Sequence, residues 1–483
     1  MEAYVLFTQA ILKNYESECL MMRKISIVFV MMLAVMLFTS VEAYAHNEFW
    51  RGDPGEREEA IYVPTTIAPQ IETINPLSPQ ALNRVTNTAT AVQAVRNVLI
   101  SMTSEELETG LLEMFAEQAI GRAASQTVSG SSIALNQTTI APLQTTAINT
   151  RDAIYAMFRE EGYTSRRDLS ANVSFVSTNA QSTEILVEPS VNQAEVQHVR
   201  IRTPQYELAF PPNFTASEVT NAPLTVTVTT GNSYTVNFSR PVEDTLRLSV
   251  APLQGDRSNQ TLMNSARGPM VTRYNPATGL LDARIRASDT YVVVRNRVDF
   301  GDIQHLSSEM QEAIRILASQ GVITGTGAEQ FSPDNSINRA QVAALTMRML
   351  GRLDPNADGN FVDVQRNDWF FGAAGSANRH GIMTGTEANR FSPTLVIPRD
   401  QLTVISARIL SGEMGYRNPA NPSQFLQVFA DRNDFADWSL PYIALAAREN
   451  MVIFRADGRF MPRASMTRGD VALALHRLYL RMW

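Results

Sequence analysis

The 483 residues are enough for roughly two to four domains, and with 44% hydrophobic and 18% charged side chains most of the chain can bury a core rather than stay disordered. A formal net charge of −7 gives no global attraction to nucleic acid. The pattern of elements along the chain argues for a multidomain α+β protein.

Arg23 and Lys24 precede an apolar run over 25–38, and Ala43-Tyr44-Ala45 follows as a small-x-small cleavage site. Residues 1–45 are therefore expected to be a signal peptide, with the true start at Met21 or Met22. The run is short for a membrane span, and an uncleaved anchor is the less favoured alternative. Cleavage removes Cys19, the only cysteine, so the mature chain has neither a disulfide nor a cysteine nucleophile. An exported chain without disulfides suits a bacterial surface. Lys13 and Lys24 are lost as well, which leaves arginine as the remaining strong base. Arginine suits bidentate contact with carboxylate or phosphate, although a compositional bias explains its dominance as readily.

Residues 46–168 are read as an extended segment followed by helices. Pro, Thr and Ile dominate to about residue 80 without a period. Val85, Val92, Val95 and Leu99 then recur at helical spacing. Thr103 to Glu106 forms a capping box before Leu107, Leu111, Met114 and Phe115. The Ser/Thr-rich stretch 125–146 reads as a linker, and a helix using Ile154, Met157 and Phe158 is expected from near Thr150 to before Gly162. Residues 169–297 change to a period of two, seen in Leu224–Thr230 and Ser233–Ser239 around a Gly231-Asn232 turn, and predict a small β-sandwich-like domain. A second hairpin is expected within Arg273–Ile285.

From Phe300 the chain repeats. Phe300-Gly-Asp302, Phe361-Val-Asp363 and Phe429-Ala-Asp431 open three units, 298–360, 361–424 and 425–483. Each runs through a helical segment to a second aromatic, in Phe331-Ser-Pro333, Phe391-Ser-Pro393 and Phe460-Met-Pro462. Ile337, Ile397 and Met466 follow at equal offsets, and then Arg339, Arg399 and Arg468 each begin a helix. A cation at the positive end of a helix dipole is unfavourable in isolation and calls for a reason.

These motifs resemble the S-layer homology repeat: F-x-D, then a Trp, G-[IV]-[IM]-T-G, F-x-P and I-T-R-A-[EQ]. The resemblance covers about residues 298–483. It implies an all-α pseudo-threefold domain whose grooves bind an anionic, often pyruvylated, wall polysaccharide or peptidoglycan. The site residues implied are Arg339, Arg399 and Arg468, Trp369 and Trp438, and the turn glycines Gly321, Gly325, Gly381 and Gly385. On this reading each arginine joins free helix N-terminal N–H groups in an anion site; the competing reading pairs it with an acid such as the repeat's own Asp. Tryptophan beside it would stack on a sugar face.

The units are unequal. Glu309 stands where the first unit should have Trp, and a carboxylate there would weaken an anion site. The third unit, Asn450 to Phe454, lacks both glycines, and Pro398 replaces the capping Thr of the second. Trp483 lies outside the pattern. Asp354 to Gly359 matches half of a calcium loop, but Gln365 occupies the bidentate Glu position, so a polar linker is favoured. His46, His198, His305, His380 and His476 form no zinc pattern, Arg51-Gly52-Asp53 carries no weight, and Glu160-Glu161 reads as a solvated face. No nucleophile elbow, P-loop or dinucleotide fingerprint is present. The expectation is a non-enzymatic, secreted cell-surface protein held on the wall, without metal or cofactor, binding no nucleic acid and no membrane after signal cleavage, with self-assembly into an S-layer as one role for 46–297. An anchored glycan hydrolase and an adhesin are the alternatives.

Overall fold

The computed structural model describes residues 79–482 apart from 108, 180–181, 189–197, 212–222, 243–244, 328 and 453–456. The expected signal peptide and nearly all of the extended segment after it lie outside the described residues. No helix among the described residues is long and apolar enough to cross a membrane.

Among the described residues five helices come first: α1 (Pro79–Leu82), α2 (Thr88–Ser101), α3 (Ser104–Leu107), α4 (Leu111–Ala123) and α5 (Gln137–Glu160). The Thr103 box forms as read, its N–H donating to Glu106 Oε2 at 2.7 Å. The expected linker does not. Residues 125–146 instead hold strands β1 (Ser125–Val128) and β2 (Ser132–Leu135) and the first turns of α5. Asn136 caps α5 through a box with Thr139. Its threonines return their hydroxyls to the preceding turn, as from Thr150 to Thr146 O at 2.8 Å, so a polar run stays helical.

Twelve further strands follow: β3 (Val173–Ser177), β4 (Ser182–Val187), β5 (Val199–Arg202), β6 (Tyr206–Phe210), β7 (Leu224–Thr230), β8 (Tyr234–Phe238), β9 (Leu246–Val250), β10 (Gln260–Asn264), β11 (Gly268–Met270), β12 (Thr272–Asn275), β13 (Leu280–Ile285) and β14 (Asp289–Arg295). They form two seven-stranded sheets, ordered β1-β3-β5-β6-β9-β13-β12 and β11-β10-β14-β8-β7-β4-β2. The β7–β8 turn has three residues, since Thr230 pairs with Tyr234, rather than the two expected. β1 and β2 enter different sheets, each by a parallel pairing. The boundary expected at 168/169 is therefore not a structural one: helices and sheets share one apolar core running from Leu82 to Tyr291.

The repeats contribute α6 (Ser308–Ser319), α7 (Arg339–Met349), α8 (Phe371–Arg379), α9 (Arg399–Met414), α10 (Pro422–Leu426), α11 (Leu440–Arg448) and α12 (Arg468–Tyr479). The arginine-initiated helix of each unit packs on the first helix of the next: α7 on α8, α9 on α11, and α12 back on α6. Between the units, Ile397 N–H donates to Ile337 O at 3.0 Å, Met466 N–H to Ile397 O at 3.0 Å, and Ile337 N–H to Met466 O at 3.3 Å. Three backbone bonds thus close a ring. Around it lies a second apolar core from Phe300 to Met482.

Within each unit the F-x-D carboxylate ties down the F-x-P turn. Asp302 accepts from Phe331 N–H (2.9 Å) and Ser332 N–H (2.7 Å), Asp363 from Phe391 and Ser392 (both 2.8 Å), and Asp431 from Phe460 and Met461 (both 2.8 Å). The residue after each Phe has a positive φ, at 57°, 57° and 55° for Ser332, Ser392 and Met461, so two N–H groups converge on one carboxylate. The paired phenyl rings meet tilted or edge-on, with centroids 5.5, 5.2 and 5.5 Å apart in the three units.

The sheet module is bolted to the repeats. Tyr479 donates to Thr272 O (2.6 Å), Arg284 Nη1 to Leu350 O (2.8 Å) and Asp168 N–H to Gly415 O (3.1 Å). Gln320 accepts from Thr272 N–H at 2.8 Å and donates to Gln260 O at 3.1 Å.

Burial alone would raise the Asp363 carboxyl, but the N–H bonds from Phe391 and Ser392 outweigh it and hold the group below the usual carboxylate range. Such a group stabilises the fold above its unfolded pKa of about 4, and the contribution is lost as pH falls through the folded value. Asp363→Ala is expected to cost about 1–3 kcal/mol at pH 7. In urea unfolding its deficit against the parent should shrink at pH 3; an equal deficit at both values would refute the assignment.

Candidate functional site

The three repeat arginines were expected to leave helix N-terminal N–H groups free for an anion. The structure corrects this. Arg339, Arg399 and Arg468 N–H donate at 2.9 Å to Leu395 O, Ala464 O and Asn335 O, all in the F-x-P loop of the following unit. The next N–H groups, of Ala340, Asp400 and Gly469, reach Pro393, Pro462 and Pro333 carbonyls at 3.0, 2.9 and 2.9 Å. Gln341 and Asp470 N–H are taken by the capping side chains of Asn338 and Thr467.

The guanidinium groups follow the same path. Arg339 gives Nε to Phe391 O (2.8 Å), Nη2 to Thr384 O (2.7 Å) and Nη1 to Gln401 Oε1 (2.6 Å). Arg468 gives Nε to Phe331 O (3.0 Å) and Nη2 to Thr324 O (2.9 Å), and Arg399 donates to Phe460 O. Arg339 and Arg468 also sit over the Phe391 and Phe331 rings at 4.9 and 4.6 Å. Burial pushes the Arg339 guanidinium down to about 10, against the pull of Asp363, so it stays charged at neutral pH. Each arginine is therefore a clasp on the next unit. Its place at a helix start lets one residue deliver N–H and guanidinium donors to one row of carbonyls. Only arginine has the forked donors for this.

The turn glycines also face protein. Gly321 and Gly381 take φ of 70° and 67° after their helices, and Asn450 takes 52° in the third unit, a left-handed position that asparagine tolerates. A side chain on Gly321 would meet Pro269 of the sheet module at 3.0 Å. On Gly325 and Gly385 it would meet Gln330 and Arg390 carbonyls at 2.6 Å, so these glycines close their own turns. Phe454 and Trp483 lie outside the described residues.

The tryptophans are different. Trp369 and Trp438 are 58% and 52% exposed, each just ahead of the first helix of its unit. The helices they precede, α8 and α11, are the ones on which α7 and α9 pack. Sequence reasoning missed a second arginine in each unit, at one offset from the first: Arg348, Arg408 and Arg477. That triple recurrence was the available signal. Arg348 is exposed, and none of the ion pairs of the described residues involves it. Arg408 is half-buried over the Tyr442 ring at 5.5 Å. Arg477 is buried and bound bidentately by Glu309, with Nε–Oε1 at 3.0 Å and Nη2–Oε2 at 3.2 Å. The residue that departs from the pattern thus neutralises the third cleft from within.

The Asp354 to Gly359 loop spends its carboxylates locally. Asp354 pairs with Arg379 at 3.0 Å and accepts Asn356 N–H, and Asp358 accepts Asn360 N–H. Among the described residues no cluster of three or more His, Cys, Asp or Glu could hold a metal.

The family model for the S-layer homology domain matches residues 299–343, 360–403 and 428–472. The chain carries three S-layer homology domains. It is 28% identical over 189 residues to the surface-layer 125 kDa protein of Lysinibacillus sphaericus, covering 38% of this chain and 15% of that protein. It is 26% identical over 262 residues to an amylopullulanase of Thermoanaerobacterium thermosulfurigenes (51% of this chain, 13% of the relative) and 26% over 186 residues to the exoglucanase XynX of Acetivibrio thermocellus (38% and 17%). The chain spans less than a fifth of the length of these relatives.

Removing one partner of the buried Arg477–Glu309 pair leaves an uncompensated charge, so Glu309→Leu should cost about 3–5 kcal/mol. Chemical denaturation of Glu309→Leu beside a Glu309→Leu, Arg477→Met double variant measures it. The double variant should recover most of the loss, whereas additive losses would mean the pair is not coupled.

Proposed function

We propose that the S-layer homology domains hold this chain non-covalently on a bacterial cell wall by binding an anionic secondary wall polysaccharide, and that the protein is a secreted surface protein rather than an enzyme. One observation carries the reading: at two of the three helix seams an exposed tryptophan precedes one helix and the helix packed on it carries an arginine outside the ion pairs of the described residues, while at the third seam that arginine is held by Glu309. Trp369 and Trp438 supply flat apolar faces for sugar rings, and Arg348 and Arg408 supply charge for an acidic substituent. Arg339, Arg399 and Arg468, with Gly325 and Gly385, hold the cleft walls instead of meeting the ligand. Two working clefts on one rigid body also favour a polymer, since the second contact is intramolecular. The surface-layer relative supports a structural role for the sheet module, including self-assembly.

A second reading, an anchored carbohydrate-active enzyme, has support in the amylopullulanase and exoglucanase relatives. Incubating the chain with starch, cellulose, xylan and wall glycan and assaying released reducing ends separates the two readings.

The anchor reading is tested by sedimentation with native wall sacculi and with sacculi stripped of secondary polymer. Trp369→Ala and Trp438→Ala should each weaken binding to native sacculi about 2–10-fold, corresponding to about 0.5–1.5 kcal/mol per stacked ring. Together they should abolish it, with the thermal midpoint unchanged. Equal binding to stripped sacculi, or full binding by the double variant, would overturn the reading.

A further inference from the structure

A separate cavity of about 380 Å³ lies between the first sheet and the repeats. Its floor is one cross-strand row. The register places Arg200 of β5 opposite Ala209 of β6, Ala209 opposite Arg247 of β9, and Arg247 opposite Arg284 of β13. The neighbouring row on the same face runs Arg202, Glu207, Ser249, Asp282 and Arg273, with acids between the cations. The cavity row has no acid. Like charges directly opposite each other destabilise a sheet, and a methyl group between two arginines leaves open volume above it.

The remaining walls add Arg167 from the sheet module and Arg352 from the repeats, with Glu117, Asp168 and Glu413 as the lining carboxylates. Five arginines less three carboxylates leave two positive charges facing the cavity. Glu117 is bound to Arg167 at 3.1 Å, Glu413 to Arg352 at 2.8 Å and Asp168 to Arg417. Arg200 pairs with Glu207 of the neighbouring row at 2.8 Å. Arg247 is the exception: its Nη2 is shut off from solvent and has no hydrogen-bond partner, and none of the ion pairs of the described residues includes it. Burial first, then Arg247, Arg200 and Arg284, hold the lining His198 imidazole well below its ordinary value, so it is neutral and adds no charge at pH 7.

A forked, desolvated, unpaired guanidinium lacks a planar or tetrahedral oxyanion. Two net charges match a dianion better than a monocarboxylate, and the volume is that of a small-molecule site, larger than a bare ion needs. We propose that this cavity binds the phosphate dianion of a phosphomonoester on a sugar-sized body, with Arg247 as the central contact and Ala209 as the opening that admits it. The ligand would touch Arg247 from the sheet module and Arg352 from the repeats, and so would strengthen the junction between them. This site shares no residue with the tryptophan clefts.

Thermal unfolding and isothermal titration of the full chain test it, using glucose 6-phosphate, inorganic phosphate, and sodium glucuronate at matched ionic strength. Glucose 6-phosphate should raise the midpoint saturably with one site per chain. Inorganic phosphate should bind at least tenfold more weakly, and glucuronate should not bind. Arg247→Met removes a charge that forms no contact ion pair, although Asp282, Glu207 and Glu117 attract it at longer range; the unliganded variant should stay folded and should lose at least tenfold in affinity. Ala209→Leu fills the gap without changing charge and should also abolish binding, which keeps the test decisive if the first variant fails to fold. Sacculus binding should be unchanged in both. A shift equal for all three anions, no saturable binding at millimolar concentration, or undiminished binding in either folded variant would overturn the proposal.

Discussion

The repeat domain depends on one constraint, the closed ring of backbone hydrogen bonds through Ile337, Ile397 and Met466. Each unit has a helix pair too short to bury its own apolar face, and the ring requires all three to be present before any is complete. The arginine clasps lie just outside the ring and run in the same sense, first to second to third and back to first. Because each clasp enters the F-x-P loop of the next unit, and because that loop is pinned by the F-x-D carboxylate, the motifs are parts of one mechanical chain. An arginine at the positive end of a helix is tolerable here because its charge and its N–H groups are delivered together to carbonyl oxygens.

That chain fixes the clefts. The two helices at each seam belong to different units, and the clasp holds them together. Departures from the repeat then read as local structural differences between the units. Glu309 converts one cleft into a buried ion pair. Asn450 keeps the helix end in the left-handed conformation without glycine. Pro398 gives up a side-chain cap, and the pairing of Pro398 with Ser465 and of Arg399 N–H with Ala464 O makes the cap unnecessary.

The sheet module is fused to this ring through main-chain carbonyls at the ends of α7 and α9 and through Tyr479, a contact set spread over all three repeat units. Anchor and upstream module therefore form one body, and force on the sheets passes directly to the clefts. The same junction explains the concentration of buried arginine on the outer face of the first sheet. Where acids alternate with the arginines the face is neutral and packed; where Ala209 interrupts the row, charge and space remain.

The amino-acid sequence by itself determined the repeat, its three motifs, most helix starts and the hairpins. These are local: a capping box, a period of two or a recurring Phe-x-Asp is written within a few residues. The tryptophan positions were legible for the same reason, and their exposure was not. The Ser/Thr-rich 125–146 was misread because its threonines stabilise a helix through bonds to the preceding turn and its two strands pair with segments far along the chain. The fate of the repeat arginines could not be read either. Arg468 donates to Phe331, 137 residues earlier, and no local pattern names that carbonyl. Only the tertiary structure decided which N–H groups were spent, which cleft was closed by Glu309, and that Arg200, Arg247 and Arg284 share one row. Each depends on the register between distant segments, which is set by burial of the apolar faces in the core and leaves no mark on the neighbouring sequence.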